Sequence, residues 1–429
     1  MIVNGACFSY EVPDDWLLVE HEVMVIAKAP EEVVGFTPNL VLRESRVPGP
    51  GPSTLADIAQ CNLRGVSQQI RGAYVFRVEA LPDAAAVPGP AERRRLWMFA
   101  PSWLEDGTPR ALMMIQDLLV VDDAVAELTA TVPFLGWHPQ SMYETLLGTL
   151  HPLPRESRRR PGTVVDVPSA DLDDWATQRD GVPREQLTCH GNLDMALDSA
   201  TVVLDTQAFE AFEWTTRKRF GFSVDPAKAM SQPLIAAGLF DETGRATEVG
   251  SWHRQIMRRG NTWKVRIAQE QPLLFRVWTL GAESLLLTTV QDGAEAAGER
   301  YQFRYCPTDA LPRLLLMWCG IRPHWPMAFD ARMPAGEVQA KCEQGAVPQS
   351  VEAVGDAREF CEQPWVVMAL TDAQGNVGGT WASTPHRGTA LLWMADETTG
   401  EMGLLSDGQK PPFWELLVGT ALGIGEGGG

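Results

Sequence analysis

The sequence is short of positive charge, of paired cysteines and of long apolar runs. Its 36 lysines and arginines face 55 aspartates and glutamates, a formal net charge of −19. A surface that gathers phosphate backbones or anionic lipid would work against that repulsion, so neither nucleic-acid binding nor membrane insertion is expected. Seven cysteines (Cys7, Cys61, Cys189, Cys306, Cys319, Cys342, Cys361) are scattered, odd in number and never spaced as CxxC. They read as buried thiols in a reducing compartment, not as a disulfide framework or a zinc site. Apolar stretches such as Leu112 to Ile115 and Leu118 to Val121 are separated by Gln116 and Asp117 and fall far short of the roughly 18 residues that cross a bilayer. The opening MIVNGACFSY has no basic start and no apolar core before Cys7. Neither a signal peptide nor a lipid-attachment site is indicated on this reading, and a cytoplasmic location is expected.

Catalytic signatures are missing too. His21-Glu22 could begin the zinc-protease pattern HExxH, but Val25 stands where the second histidine is needed. Gly423 and Gly425 in the terminal GIGEGGG have nucleotide-loop spacing with no helix after them to hold a pyrophosphate. No GxxxxGK[ST] or GxSxG occurs. Cys189 and His190 are adjacent, whereas a nucleophile and its base must converge through the fold. The acidic pairs Asp14/Asp15, Asp122/Asp123 and Asp173/Asp174 each lie beside a turn signal, where carboxylates cap or are solvated. The chain is therefore read as not an enzyme, with no catalytic, cofactor-binding or metal-ligating residue assigned and no cofactor expected.

What is present is apolar material for two or three domains: 429 residues, 45% of them hydrophobic. Residues 155–195 have linker composition, a basic stretch RESRRRPG followed by a mostly acidic one, and Arg158, Arg159 and Arg160 read as a solvated run. Before the linker, strand-like alternation runs through Phe8, Tyr10 and Val12, then 17–27 and 40–43. A helix follows in which Leu55, Ile58, Ala59, Leu63 and Val66 share one buried face. Four strand-like runs, 73–81, 94–100, 111–121 and 124–132, suggest an antiparallel sheet, and a helix over 141–150 closes the unit.

This opening, F-x-Y-x-V-P-x-x-W from Phe8 to Trp16, and the segment Gly35-Phe36-Thr37-Pro38-Asn39-Leu40 resemble the PsbP-like fold, in particular its LpqN-like and DcrB-like branch. For residues 1–154 the resemblance implies a small α/β sandwich with an antiparallel sheet that binds partners. It carries over no catalytic residue.

After the linker the order is a strand at 201–204, a helix capped by Asp205 and Thr206, helical stretches over 226–237 and 247–258, and a meander of strands at 263–268, 273–280, 284–290 and 301–305. A helix with Leu311, Leu314, Leu315 and Trp318 on one face comes next. Helices over 335–344 and 350–362, strands at 365–371, 377–382, 388–395 and 401–405, and a helix over 412–421 then repeat the pattern roughly, as if two similar halves shared one sheet. The segments V-V-L-D-T from Val202, L-I-A-A-G-L-F-D-E-T-G-R from Leu234, the helix with Trp252, and L-L-W-M-A-D-E-T-T-G-E from Leu391 resemble the EspG-like type VII (ESX) secretion chaperones. For 196–422 this implies an α+β domain, a central antiparallel sheet flanked by helices. Residues 423–429 are read as a flexible glycine-rich tail.

The function these resemblances imply is a non-enzymatic cytoplasmic chaperone or adaptor that covers the apolar helical tip of a PE/PPE-like secretion substrate, by itself or as a homodimer. The alternatives are an enzyme with an interdomain site and a structural subunit of a secretion-linked assembly. Fifteen tryptophans against five tyrosines suit both a core and a partner surface. Trp325, Met327 and Phe329, in a proline-broken segment, are the candidate apolar anchors, and the acidic turn of Asp292, Glu295 and Glu299 is the candidate polar contact.

Overall fold

A computed structural model describes residues 1–21, 23–33, 35–47, 55–70, 73–82, 92–103, 109–133, 140–164, 202–217, 223–268, 273–290, 300–321, 324, 327–351, 355–372, 377–384, 388–396 and 398–406. The chain divides into two compact units, one of Met1–Asp194 with Arg322–Pro326 and the other of Met195–Ile321 with Met327–Gly429.

The first unit has strands β1 (Ile2–Asn4), β2 (Phe8–Glu11), β3 (Leu17–His21), β4 (Met24–Lys28), β5 (Asn39–Arg46), β6 (Tyr74–Pro82), β7 (Glu92–Trp103), β8 (Pro109–Val121), β9 (Ala124–Pro133), β10 (His151–Pro152) and β11 (Thr163–Val164). Its helices are α1 (Leu55–Gln69) and α2 (Gln140–Gly148). The main sheet runs β3-β4-β5-β9-β8-β7-β6, with β11 parallel to β5, and β1-β2-β10 form a separate small sheet. Strands β8 and β9 are long and closed by the two-residue turn Asp122-Asp123, with Asp122 at positive φ.

Successive residues of β8 point to opposite faces, and each face is covered by one helix. On one side Ile58 and Ala59 of α1 cluster with Val47, Leu118 and Val125, and Leu63 with Val75, Val78, Leu96 and Met98. On the other, Arg95 binds the fully buried Asp117 through Nε at 2.6 Å and a terminal nitrogen at 2.8 Å. Arg93 and Arg95 also donate to the backbone carbonyls of Leu147, Leu150 and Glu144 around the end of α2. Guanidiniums on the last carbonyls of a helix satisfy acceptors that have no partner within it.

Glu44 of β5 fastens the small sheet to the large one. Its carboxylate accepts from the backbone N–H of Ala6, of Cys7 at 2.7 Å and of Phe8 at 2.9 Å. A Cβ on Gly5 would run into that carboxylate, so the absence of a side chain there is a packing requirement. The segment read as linker also begins as ordered structure. Residues 155–157 form a 3-10 turn, β11 joins the sheet, and Arg158 is largely buried, donating to the Leu153 carbonyl and to Asp122. Arg158 is therefore not a solvated charge; two acceptors from the adjoining turns hold it.

The second unit contains β12 (Val202–Asp205), α3 (Thr206–Arg217), α4 (Gln232–Ala236), α5 (Glu248–Arg259), β13 (Asn261–Ala268), β14 (Leu273–Leu280), β15 (Glu283–Thr289), β16 (Arg300–Pro307), α6 (Leu311–Trp318), β17 (Asp330–Pro334), α7 (Ala335–Gln344), α8 (Asp356–Glu362), β18 (Val366–Asp372), β19 (Val377–Thr384), β20 (Gly388–Asp396) and β21 (Glu401–Ser406). All ten strands form one antiparallel sheet in the order β12-β16-β15-β14-β13-β18-β19-β20-β21-β17. Two meanders meet back to back at β13 and β18, where Val265 lies opposite Leu370. Each meander is closed at its far edge by the strand that precedes its helices. The halves keep separate cores, one around Phe212, Phe240, Trp278 and Phe303, the other around Phe329, Phe360, Leu392 and Leu404.

The expected helix-flanked α+β domain is overturned. Strands dominate the described residues, the architecture is mostly β, and the second unit's helices are short insertions between strands. The stretch over 226–237 yields a 3-10 turn and the five-residue α4, because Pro226 and Pro233 donate no backbone hydrogen bond and Gly238 turns at positive φ. Of the helix expected over 350–362, α8 begins only after Gly355, also at positive φ. The helix expected over 412–421 and the glycine-rich tail lie outside the described residues.

Candidate ligand-binding cavity beneath helix α1

The α1 face of the first unit's sheet carries polar groups at alternate positions of β9. Glu127, Thr129 and Thr131 follow one another at period two and point toward the helix. The strand register sets their neighbours: Arg43 and Val41 of β5 lie opposite Glu127 and Thr129, and on the other side Gln116 of β8 lies opposite Thr129. Above them α1 places Ile58, Cys61, Asn62, Gly65 and Val66, and Ile70 follows at its end. Together with Met98 and Met114 these side chains enclose a cavity of about 410 Å³, within the size range of small-molecule sites.

Its floor is internally bonded. Asn62 donates through Nδ2 to Gln116 Oε1 at 2.7 Å, and Gln116 donates through Nε2 to Thr129 Oγ1 at 3.1 Å. This relay fixes both amides and leaves the Asn62 carbonyl and the Thr129 hydroxyl proton to serve the cavity. Burial pushes the Glu127 carboxyl above the ordinary carboxylate range, and the Arg43 charge pulls it partly back. Valine, isoleucine and methionine make the rest of the wall. The arrangement suits an amphipathic guest, with apolar area for burial and a few fixed polar groups for orientation.

No family model matches the chain, and no curated protein does. Among solved structures, it is similar to the cyanobacterial PsbP protein CyanoP of Synechocystis, at 15% identity over 34% of this chain and 86% of that one, with a TM-score of 0.27. LpqN of Mycobacterium tuberculosis, involved in cell envelope biogenesis, gives 15% identity, 34% and 83% coverage and a TM-score of 0.21. A protein of unknown function from Pseudomonas aeruginosa, a putative regulator, gives 19%, 34%, 92% and 0.26. PsbP-like and LpqN structures are thus neighbours over about a third of the chain, whereas nothing supports an EspG-like C-terminal half.

Two of the three apolar anchors expected from sequence, Met327 and Phe329, are buried. Met327 and Phe329 are 3% and 7% exposed and belong to the core of the second half of the sheet, where the Phe329 ring lies 5.4 Å from that of Phe360. Two bonds with Ser406 hold Phe329 there: the Phe329 N–H donates to the Ser406 hydroxyl at 2.9 Å, and the Phe329 carbonyl accepts from the Ser406 N–H at 3.0 Å. Met327 and Phe329 thus turn their side chains inward. Trp325, Asp292, Glu295 and Glu299 lie outside the described residues, as do Cys189, His190, Asp173 and Asp174. Asp122 and Asp123 form the β8–β9 turn, with Asp122 bound to Arg158.

Arg43, Asn62, Gln116, Glu127, Thr129 and Thr131 were not singled out by sequence reasoning. Two signals could have found four of them: the glutamine interrupting the apolar run of β8, Gln116, and the polar Glu127, Thr129 and Thr131 alternating along A-V-A-E-L-T-A-T-V.

Proposed function

We propose that this chain is a non-enzymatic binding protein and that its first unit holds a small amphipathic molecule beneath α1. The observation that carries this reading is the cavity, whose apolar walls converge on a hydrogen-bonded amide and hydroxyl floor. Such a site works by removing the guest's apolar surface from water while the floor selects its orientation. Thermal-shift titration of the full chain with short amphiphiles is the test. Guests are expected to raise the melting temperature of the native chain more than that of a Val66→Trp variant that narrows the cavity. Equal shifts in both proteins would refute the site.

A second role, holding a protein client, is favoured by Trp214 on α3 and Trp252 on α5, which are 58% and 36% exposed. Indole faces are frequent anchors at interfaces. The client implied by the sequence is a helical type VII secretion substrate kept soluble in the cytoplasm. Purification from the native host should recover such a partner with the native chain and lose it with Trp214→Ser/Trp252→Ser. Recovery that is unaffected by the two substitutions would refute this role.

A further inference from the structure

Arg43 and Glu127 stand opposite each other on β5 and β9 and both line the α1 cavity. Opposite charges placed this way across strands ordinarily close on each other. Among the described residues these two form no ion pair, so an exposed guanidinium and a shielded carboxyl both border the cavity without closing on each other. Beside them is the hydrogen-bonded floor of Asn62, Gln116 and Thr129, and beyond it an apolar wall that includes Val66, Met98 and Met114.

We propose that the cavity binds a free α-amino acid with an apolar side chain of about leucine to phenylalanine size. Its carboxylate meets Arg43, its ammonium meets Glu127, and its side chain lies along Val66, Met98 and Met114. A zwitterion serves both charged groups at once. A guest without the ammonium leaves the shielded Glu127 carboxyl unanswered, and one without the carboxylate forgoes the contact with the exposed Arg43, so either is disfavoured. The inference rests on the reading of the first unit as a small-molecule binder.

Isothermal titration of the full chain separates the two claims. The probes are L-leucine, L-phenylalanine, N-acetyl-L-leucine, L-leucinamide and the uncharged 3-methyl-1-butanol. The amino acids are expected to bind, and each singly charged analogue to bind at least about tenfold more weakly, the size of one lost charge-assisted contact. Arg43→Gln and Glu127→Gln should each weaken L-leucine by about the same factor while leaving the melting temperature of the empty protein near that of the native chain. Equal affinity for leucine and either singly charged analogue, or binding of the alcohol alone, would overturn the amino-acid assignment and leave the cavity a binding site. Absence of binding by every probe would overturn both.

Discussion

Replacing Asp117 by asparagine tests the arrangement behind the other face of the first unit's sheet. Asp117 is fully buried, and Arg95, at 7% side-chain exposure, holds it with two bonds of 2.6 and 2.8 Å, with Arg93 at 3.4 Å as a weaker third. The asparagine keeps the shape and one acceptor oxygen but removes the charge, so two buried guanidiniums lose their counter-ion. Breaking one side of a buried pair typically costs about 3–5 kcal/mol. Two short charge-assisted bonds at about 1.5–3 kcal/mol each support the same range. We expect a loss of about 4 kcal/mol in urea unfolding, a large fraction of the roughly 5–15 kcal/mol of an ordinary domain. Hydrogen exchange should also quicken in α2, whose final carbonyls Arg93 and Arg95 engage. The double variant Asp117→Leu/Arg95→Met removes both charges and is expected to recover much of the loss. A single variant within about 0.5 kcal/mol of the native chain, too little for any buried ion pair, would refute the reasoning.

Glu44→Ala leaves the N–H groups of Ala6, Cys7 and Phe8 without their acceptor and is expected to cost about 3 kcal/mol, with exchange in β2 quickening first; unchanged protection of those amides would contradict the assigned role. His253 is buried, its Nδ1 lies 2.9 Å from the Val249 carbonyl, and burial holds its pKa below the ordinary histidine value. The unfolded chain therefore binds the proton more readily, so this residue's contribution to stability rises with pH up to about the unfolded histidine value near 6.5 and falls below it. Melting curves from pH 5 to 7 should show a steeper acid loss in the native chain than in His253→Gln, and parallel curves would count against the assignment.

Much of the element order was legible locally. The 3.6-residue spacing of Ile58, Ala59, Leu63 and Val66 marked the buried face of α1, and the Asp122-Asp123 and Gly281 turns marked hairpins, because backbone sterics and one-sided burial act over a few residues. The α+β label for the second half failed on a different scale. It weighed helices and strands by their signals, whereas the meanders join at β13 and β18 into one sheet, and that joining involves residues about a hundred positions apart.

The sequence by itself determined most of the long strands, which residues of α1 face inward, that β8 carries two adjacent polar residues in an apolar run, and that net charge disfavours anionic partners. Those properties follow from composition and short-range periodicity. Only the tertiary structure decided that Gln116 opens toward a cavity while Asp117 binds the guanidinium that caps α2, that Met327 and Phe329 are core, and that Arg43 lies opposite Glu127. Each depends on strand register and on the elements that cover a face, and register is set by pairing between distant segments.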